Sequence, residues 1–218
     1  MNALLVLVVA LLPLPSTADD CLDRAPAETA RASGPLSVSV EAWEGRSVLR
    51  ATGRIEAGAT ERILNVLQAA NVDEVWLDSA GGDQEDAAKF GAELRRNTLL
   101  ARIPAGAVCA DACVGAFLAG LGRVIDPGGQ IGIAAMPVSN EASTQSQAER
   151  EQAAGRWAER QADHYIRAGI SRGLLRLQLE TPAGTTCWLT RAAQQRYNVT
   201  NTPLIRPASN PPPALSRP

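Results

Sequence analysis

Strand-like and helix-like segments alternate through the first two thirds of the chain, and their order constrains the fold more than any other sequence feature. Strand patterns cover residues 36–43, 47–55 and 73–79, and helical spacing covers 58–71 and 83–97. Such alternation predicts an α/β fold with parallel strand pairs. In folds of this kind, ligands bind at the carboxyl ends of the strands.

The later part of the chain adds another strand–helix unit and then becomes mainly helical. Residues 99–109 are predicted to be extended, 112–122 to form an apolar helix, and 123–135 to form two short strands around a Pro-Gly-Gly turn. From Glu141 the composition changes, and residues 141–169 predict a long, mostly polar helix, with two shorter helices after it. We therefore expect a core of strands and helices followed by a helical arm.

The two ends of the chain differ from the predicted domain at residues 35–200. Residues 1–18 contain an apolar run that is too short for a bilayer span of about 20 residues. Small residues up to Ala18 follow it, which indicates a secretory signal peptide cleaved near Ala18, with an uncleaved anchor as the alternative. We interpret 19–34 as a leader or loop and 201–218 as a Pro-rich disordered tail. After cleavage we expect a periplasmic or secreted protein without a membrane span.

Four cysteines, an even number in an exported chain, suggest two disulfides. Three pairings are open, and we favour Cys109 with Cys113, whose α-carbons would lie about 6 Å apart in a helix. That choice leaves Cys21 with Cys187. Metal binding is the rival interpretation, but His164 is the only histidine. We expect no metal and no cofactor, and the net charge of −2 gives no indication of nucleic-acid binding.

Two stretches at the ends of predicted strands contain the most unusual residues. In VWLDSAGGDQEDA (75–87), the pair Gly81 and Gly82 predicts a tight turn with exposed N–H groups. In AVCADACVGAFLAG (107–120), Asp111 lies between two cysteines at a strand-to-helix elbow. We favour a helix-capping role for this carboxylate, in which it accepts hydrogen bonds from the first helical turn.

The acidic residues and the histidine are further candidates for chemistry. We interpret Asp78, Asp83, Glu85 and Asp86 as solvated or helix-starting acids, with a cation site as the alternative. His164 is predicted to lie on the surface or in packing contacts of the long helix. It would reach the strand ends only if that helix folds over them.

The order of these motifs resembles the Clp protease/crotonase superfamily, in particular the exported Clp-protease-like proteins of bacteria. LDSAGGDQEDAAKFGAELRR (77–96) is similar to the family's strand, S-P-G-G turn and helix. AVCADACVGAFLAGLGRVIDPGGQIGIAA (107–135) is similar to its C-A-S-A-C elbow, helix and G-x-H strand, and 164–171 and 187–201 to its later helix and closing segment. The resemblance covers roughly residues 53–200 and implies a core of stacked βαβ units with a helical arm.

In working members of this family, a serine at the elbow is the nucleophile, a histidine on the next strand is the base, and an aspartate orients the histidine. The resemblance places Asp111 at the serine position and Ala134 at the histidine position, or Ala135 if the strand is aligned one residue later. The third position falls near Thr186. The resemblance therefore implies that no intact catalytic triad is present.

The family's oxyanion hole consists of backbone N–H groups, and these positions correspond to Gly81, Gly82 and Ala112, while the turn proline has become Ala80. The resemblance adds two alternatives to capping for Asp111. Its carboxylate could lean into the oxyanion hole as a built-in anion, or it could act as a nucleophile or base.

Three functional hypotheses follow from the resemblance. The leading one is a catalytically inactive Clp-protease-like envelope protein that binds a peptide or protein partner. The second is an active hydrolase, peptidase or acyl-transfer enzyme with non-standard residues, in which Asp111 or Glu85 is the acid or base. The third is a structural subunit that assembles with an active paralogue; family precedent also makes a homo-oligomer through the helical arm an expectation.

Overall fold

The computed structural model describes residues 17–135 and 146–202, and this part of the chain contains two β-sheets and several α-helices. The strands are Ser37–Trp43 (β1), Arg46–Thr52 (β2), Glu74–Asp78 (β3), Leu100–Ile103 (β4), Val108–Ala110 (β5), Gly122–Ile125 (β6), Gln130–Ala134 (β7) and Thr186–Trp188 (β8). The helices are Ala59–Ala69 (α1), Gln84–Arg96 (α2), Ala112–Ala119 (α3), Gln147–Ala168 (α4), Arg172–Glu180 (α5) and Arg191–Arg196 (α6). The predicted α/β fold is confirmed.

The larger sheet has the strand order β1-β2-β3-β4-β6, and the smaller sheet has the order β5-β7-β8. β1 and β2 form an antiparallel hairpin, and β2, β3, β4 and β6 are parallel. Helices α1 and α2 connect β2 to β3 and β3 to β4, so these elements form consecutive βαβ units. In the smaller sheet, β7 is parallel to β5 and antiparallel to β8.

β3 lies in the middle of the larger sheet, and all five of its residues are buried. Val75 and Leu77 project into the main hydrophobic core, which α1, α2 and α3 also line. Glu74 and Trp76 project from the opposite face, as alternation along a strand requires, and are buried there as well. A strand buried on both faces is expected to be nearly continuous in apolar sequence, as this one is between its two terminal acids, Glu74 and Asp78.

The segment predicted as one extended stretch, 99–109, is two strands in different sheets. β4 ends at Ile103, and the chain turns at Pro104, where the Ala107 N–H donates to the Pro104 carbonyl at 3.0 Å. Gly106 has φ 73°, a conformation that favours glycine. Hydrophobic periodicity does not reveal this change of sheet, because both strands are largely buried and, apart from Arg102, apolar.

Helices α2 and α3 pack closely against each other near the carboxyl ends of the strands. α3 is apolar around its circumference and almost entirely buried. A Cβ on Gly91 of α2 would lie 2.8 Å from the Cβ of Ala119, so glycine permits the approach of the two helices. A capping box between Ser146 and Glu149 stabilises the start of α4, and Gly169, with φ 70°, caps its end.

Residues 19–34, predicted as a leader or loop, form short turns that are attached to the domain. Cys21 forms a disulfide with Cys187 of β8, and the buried Asp20 carboxylate accepts a hydrogen bond from the Tyr197 hydroxyl at 2.5 Å. Arg31 donates to the buried Asp78 carboxylate at 3.0 Å. The second disulfide joins Cys109 to Cys113, so the pairing that we favoured is the one in the structure.

No helix within residues 17–135 and 146–202 is both long and apolar enough to cross a membrane. Residues 1–16 and 203–218 lie outside the described part of the chain, and with them most of the predicted signal peptide and of the predicted tail.

Candidate functional site

The paired-glycine turn and the Asp111 elbow are adjacent because the end of β3 pairs with β5. Ser79, the residue after β3, forms a parallel bridge with Cys109. Its N–H donates to the Val108 carbonyl at 2.7 Å, and its carbonyl accepts from the Ala110 N–H at 3.0 Å. Each strand is followed at once by one of the two unusual stretches, so both stretches lie at the same place in the fold.

Asp111 has a backbone conformation that is unusual for a residue with a side chain, with φ 50° and ψ −124°. Such a conformation costs about 1–3 kcal/mol and persists only where the surroundings impose it. The Asp111 N–H donates to the Gly132 carbonyl at 3.3 Å, and the disulfide between Cys109 and Cys113 closes the elbow on both sides. Because strain of this kind concentrates at functional sites, the elbow is a candidate site.

The Asp111 carboxylate differs from the helix cap that the sequence favoured. Asp111 is at the N-cap position of α3, but its side chain makes no capping hydrogen bond. Instead, Oδ1 accepts a hydrogen bond from Gln84 Nε2 at 2.8 Å. The carboxyl group packs against Gly81, where a Cβ would lie 2.7 Å from Oδ2. The side chain therefore leans across the elbow toward the glycine turn, and its described hydrogen bond is with the start of α2.

Both glycines of the turn are required by their conformations and neighbours. Gly81 has φ 113° and Gly82 has φ 141°. A Cβ on Gly82 would lie 2.1 Å from the Ile55 carbonyl oxygen. The Gly81 N–H donates to the Ser79 hydroxyl at 3.2 Å, and the N–H of Ala112, the first residue of α3, has no acceptor within its own helix.

The two proposed base positions lie beside the elbow. Ala134 and Ala135 line the same cavity as Asp111 and Ala112. Thr186 is directly opposite Ala134 in the β7–β8 pair, although it does not line the cavity. The structure therefore brings the positions that the resemblance singled out to one place, with an acid, a methyl group and a threonine at the three family positions.

A groove of about 590 Å³ extends from the elbow between α2, α3, the end of β7 and α4. Its wall on α2 consists of small residues, namely Ala87, Ala88, Gly91 and Ala92. Among the described residues that line the groove, none is a serine, threonine or cysteine. A volume of several hundred Å³ is typical of ligand-binding clefts.

His164 lies in this groove because α4 folds over α3. It makes a hydrogen bond to the backbone of Gly115, one helical turn beyond Asp111, and its Nε2 atom is buried without a partner. Burial lowers the pKa of His164, and the charges of Arg123 and Arg95 lower it further, against the opposing effects of Gly115 and Asp163. The imidazole is therefore neutral at pH 7 and is held by a carbonyl rather than by Asp111.

Three arginines line the groove, and only Asp111 among the described lining residues is acidic. Arg167 forms an ion pair with Asp163 at 2.6 Å. Arg95 contacts the Ala119 and Arg167 carbonyls at 3.5 and 3.4 Å, at the carboxyl ends of α3 and α4. Within residues 17–135 and 146–202, neither Arg95 nor Arg160 is paired with an acid, so the groove has an excess of positive charge.

The acidic residues around the first stretch have separate partners. Asp78 binds Arg31, Asp83 caps α2 through the Asp86 N–H at 2.8 Å, and Glu85 pairs with Lys89. Burial raises the pKa of Asp86, but hydrogen bonds from Gly58 and Thr60 outweigh it and lower the pKa. Within the described residues, no group of acids, histidines or cysteines could hold a metal ion.

Four residues of the site were not identified from the sequence: Gln84, Arg95, Trp157 and Arg160. The sequence contained a partial indication of the groove, because small residues between 87 and 92 recur on one face of α2 and leave room for a ligand. Trp157 and Arg160 belong to a stretch that reads as an ordinary amphipathic helix, and only the position of α4 brings them to the groove.

Comparisons with known proteins give a likeness in fold. No protein-family model matches the chain, and no curated protein matches it. A solved structure of a mutant 1510-N membrane-bound stomatin-specific protease is similar with a TM-score of 0.51 and 15% sequence identity, over 70% of this chain and 75% of that one. At this identity the likeness concerns the fold alone, and it agrees with the α/β architecture that the motifs implied.

Proposed function

We propose that this protein is a non-catalytic relative of proteases of this fold and that it binds a peptide or protein partner in the groove. The elbow carries this proposal: a strained backbone is maintained there, but the residue is Asp111, whose carboxylate is held by Gln84 at 2.8 Å. Acyl transfer of the serine type needs a hydroxyl or thiol beside a base. Among the described residues that line the groove, none offers a hydroxyl or thiol next to the elbow.

The position of His164 supports the same proposal. A general base must lie within hydrogen-bonding reach of the group that it deprotonates. His164 is instead bound to the Gly115 backbone, and the resemblance puts an alanine, Ala134 or Ala135, at the strand position of the base. What remains at the strand ends is a cleft lined largely by small side chains, which suits binding rather than turnover.

The two disulfides support an exported protein, because disulfides persist mainly in oxidising compartments. In the envelope or outside the cell, acyl-CoA substrates are absent, so a peptide or protein segment is the partner class that suits both the compartment and the groove.

The catalytic half of the proposal is tested with a fluorophosphonate probe and a casein-hydrolysis assay on the purified protein. We expect neither labelling nor hydrolysis, and the same result for Asp111→Ser, because that variant restores a hydroxyl without a base. Labelling of the native chain that is lost in Asp111→Ala would show that the protein is an active enzyme.

The binding half is tested with an array of random pentapeptides, each attached at its amino end so that its carboxyl end is free. We expect a subset to bind the native protein and to lose binding to Ala88→Trp, which fills the groove. Ala69→Trp is the matched control, because Ala69 is an exposed alanine on α1 outside the groove. If no peptide is sensitive to Ala88→Trp, this half of the proposal is wrong.

A further inference from the structure

The groove has a length and a polarity that restrict what it can bind. Its α2 wall runs from Gln84 to Arg95, a distance of about 16 Å at the rise of an α-helix. This is roughly five residues of extended chain at about 3.3 Å each. Ala88, Gly91 and Ala92 along this wall have little or no side chain, so a main chain can lie close to the helix.

The two ends of the groove differ in charge. At the elbow end, the Asp111 carboxylate repels another carboxylate. At the opposite end, Arg95 contacts the last carbonyls of α3 and α4, namely those of Ala119 and Arg167, and these contacts hold its guanidinium in place. A guanidinium has five N–H donors, so several remain for a ligand, and their planar arrangement suits a carboxylate.

A second cation, Arg123, lies near Arg95. Burial lowers the pKa of Arg123 to about 10, and the positive charge of Arg95 contributes to that shift. Arg123 itself is bound by backbone carbonyls, including that of Val199 at 2.9 Å, rather than by an acid. An anionic group beside Arg95 would relieve the repulsion among these cations.

Resting on the function proposed above, we infer that the groove binds the last residues of a peptide chain, with the terminal α-carboxylate at Arg95 and the chain running toward Asp111. The ligand needs a negative charge only at the end that lies beside Arg95, and the terminal carboxylate of a peptide chain supplies it. Gln84 and Gln161 in the walls offer amide donors and acceptors that match a peptide backbone and have no counterpart on an alkyl chain.

The inference is tested on those pentapeptides from the array that are sensitive to Ala88→Trp, each synthesised also as its carboxamide. By isothermal titration, we expect the free acids to bind roughly tenfold or more tightly than the amides, as is typical of a lost hydrogen bond to a charged group. Arg95→Gln should remove this preference.

Arg62→Gln is the matched control, because Arg62 is an exposed arginine on α1 that pairs with Glu56 away from the groove. It should leave the preference for free acids unchanged. Arg95→Lys retains the charge without the planar donors and should keep part of the preference, which guards against a loss caused by misfolding of Arg95→Gln.

Other outcomes overturn the inference in distinguishable ways. Equal binding of acids and amides, still sensitive to Ala88→Trp, would refute the carboxylate assignment and leave the proposed binding function intact. Binding of octanoate with no peptide binding would indicate a lipid-like ligand and refute both. A dimer in sedimentation experiments that Ala88→Trp converts to a monomer would show that a second copy occupies the groove.

Discussion

The outer face of the larger sheet and the groove both present arginines, but they balance the charge in opposite ways. On the sheet face, Arg102 of β4 is buried between Glu74 and Asp126, with an Nη1–Oδ1 distance of 2.6 Å to Asp126. Trp43 lies beneath its guanidinium, 5.4 Å from the ring centre. In the groove, the guanidinium of Arg95 contacts helix-end carbonyls and has no acidic partner among the described residues.

The difference separates charges that hold the fold from charges that are available to a ligand. A buried cation between two buried acids cannot be removed without leaving those acids uncompensated. An exposed cation without an acidic partner contributes little to stability, and its charge is free to attract an anion. Arginine content alone does not distinguish the two roles; burial and pairing do.

The largest effect is expected from Arg102→Met. Loss of the guanidinium leaves Asp126 buried without its ion-pair partner and leaves Glu74 with the more distant and more exposed Arg46, so it should lower the free energy of unfolding by about 3–5 kcal/mol. Urea unfolding with the disulfides intact measures this change. Arg62→Met, which breaks an exposed ion pair, should cost less than about 1 kcal/mol; equal losses in the two variants would refute the division of roles.

The second effect concerns strain at the elbow. Asp111→Gly and Asp111→Ala both remove the carboxylate, but only glycine adopts φ 50° without steric strain. We expect Asp111→Gly to be about 1–3 kcal/mol more stable than Asp111→Ala, the reverse of the usual order of glycine and alanine in ordered structure. Thermal and urea unfolding of the two variants give the comparison, and a more stable alanine variant would mean that the elbow is not strained.

The third effect is a dependence of stability on pH that comes from His164. Because its pKa is lowered on folding, the unfolded chain binds the proton more readily, and the free energy of unfolding falls as pH drops through and below about 6.5. One proton gives a slope of at most about 1.4 kcal/mol per pH unit.

The slope is measured as the difference between the native protein and His164→Gln from about pH 7.5 to 5.5, above the range of most carboxylates. His164 is the only histidine, so no other imidazole contributes. The variant should be less sensitive to acid than the native protein. The opposite order would indicate that Asp163 outweighs burial and the charges of Arg95 and Arg123.

The smallest effect on stability is expected from Arg160→Gln. Arg160 is exposed and has no acidic partner among the described residues, so the free energy of unfolding should change by less than about 0.5 kcal/mol. Urea unfolding of Arg160→Gln and Arg102→Met under the same conditions compares the two roles directly, since each variant removes one arginine. If the free energy of unfolding fell by several kcal/mol, Arg160 would belong with the charges that hold the fold, like Arg102.

Much of the fold could be predicted because local patterns and global structure agree. The alternation in 36–43, the apolar run of β3 and the capped helix α2 each encode their element locally. The division of 99–109 between two sheets could not be predicted, because it depends on which strand each half pairs with. The attachment of residues 19–34 depends on long-range contacts, chiefly the disulfide of Cys21 with Cys187.

The parts of the candidate site that are formed by local main-chain structure could be predicted. The parts formed by side chains that are distant in sequence could not. The turn at Gly81 and the elbow at Asp111 have local signatures, and both lie where the motifs indicated. The partner of Asp111 is Gln84, an exposed polar residue with no distinguishing pattern. The approach of His164 depends on the angle at which α4 crosses α3, which helical periodicity does not specify.

The bond between Cys21 and Cys187 has a mechanical consequence. It joins residues 166 positions apart, so a force applied to the chain outside this pair passes through the sulfur–sulfur bond instead of through the sheets. When the oxidised protein is stretched in an optical trap, only the residues outside the pair Cys21–Cys187 should extend. A single protease cut between these two cysteines should leave both fragments joined by the disulfide.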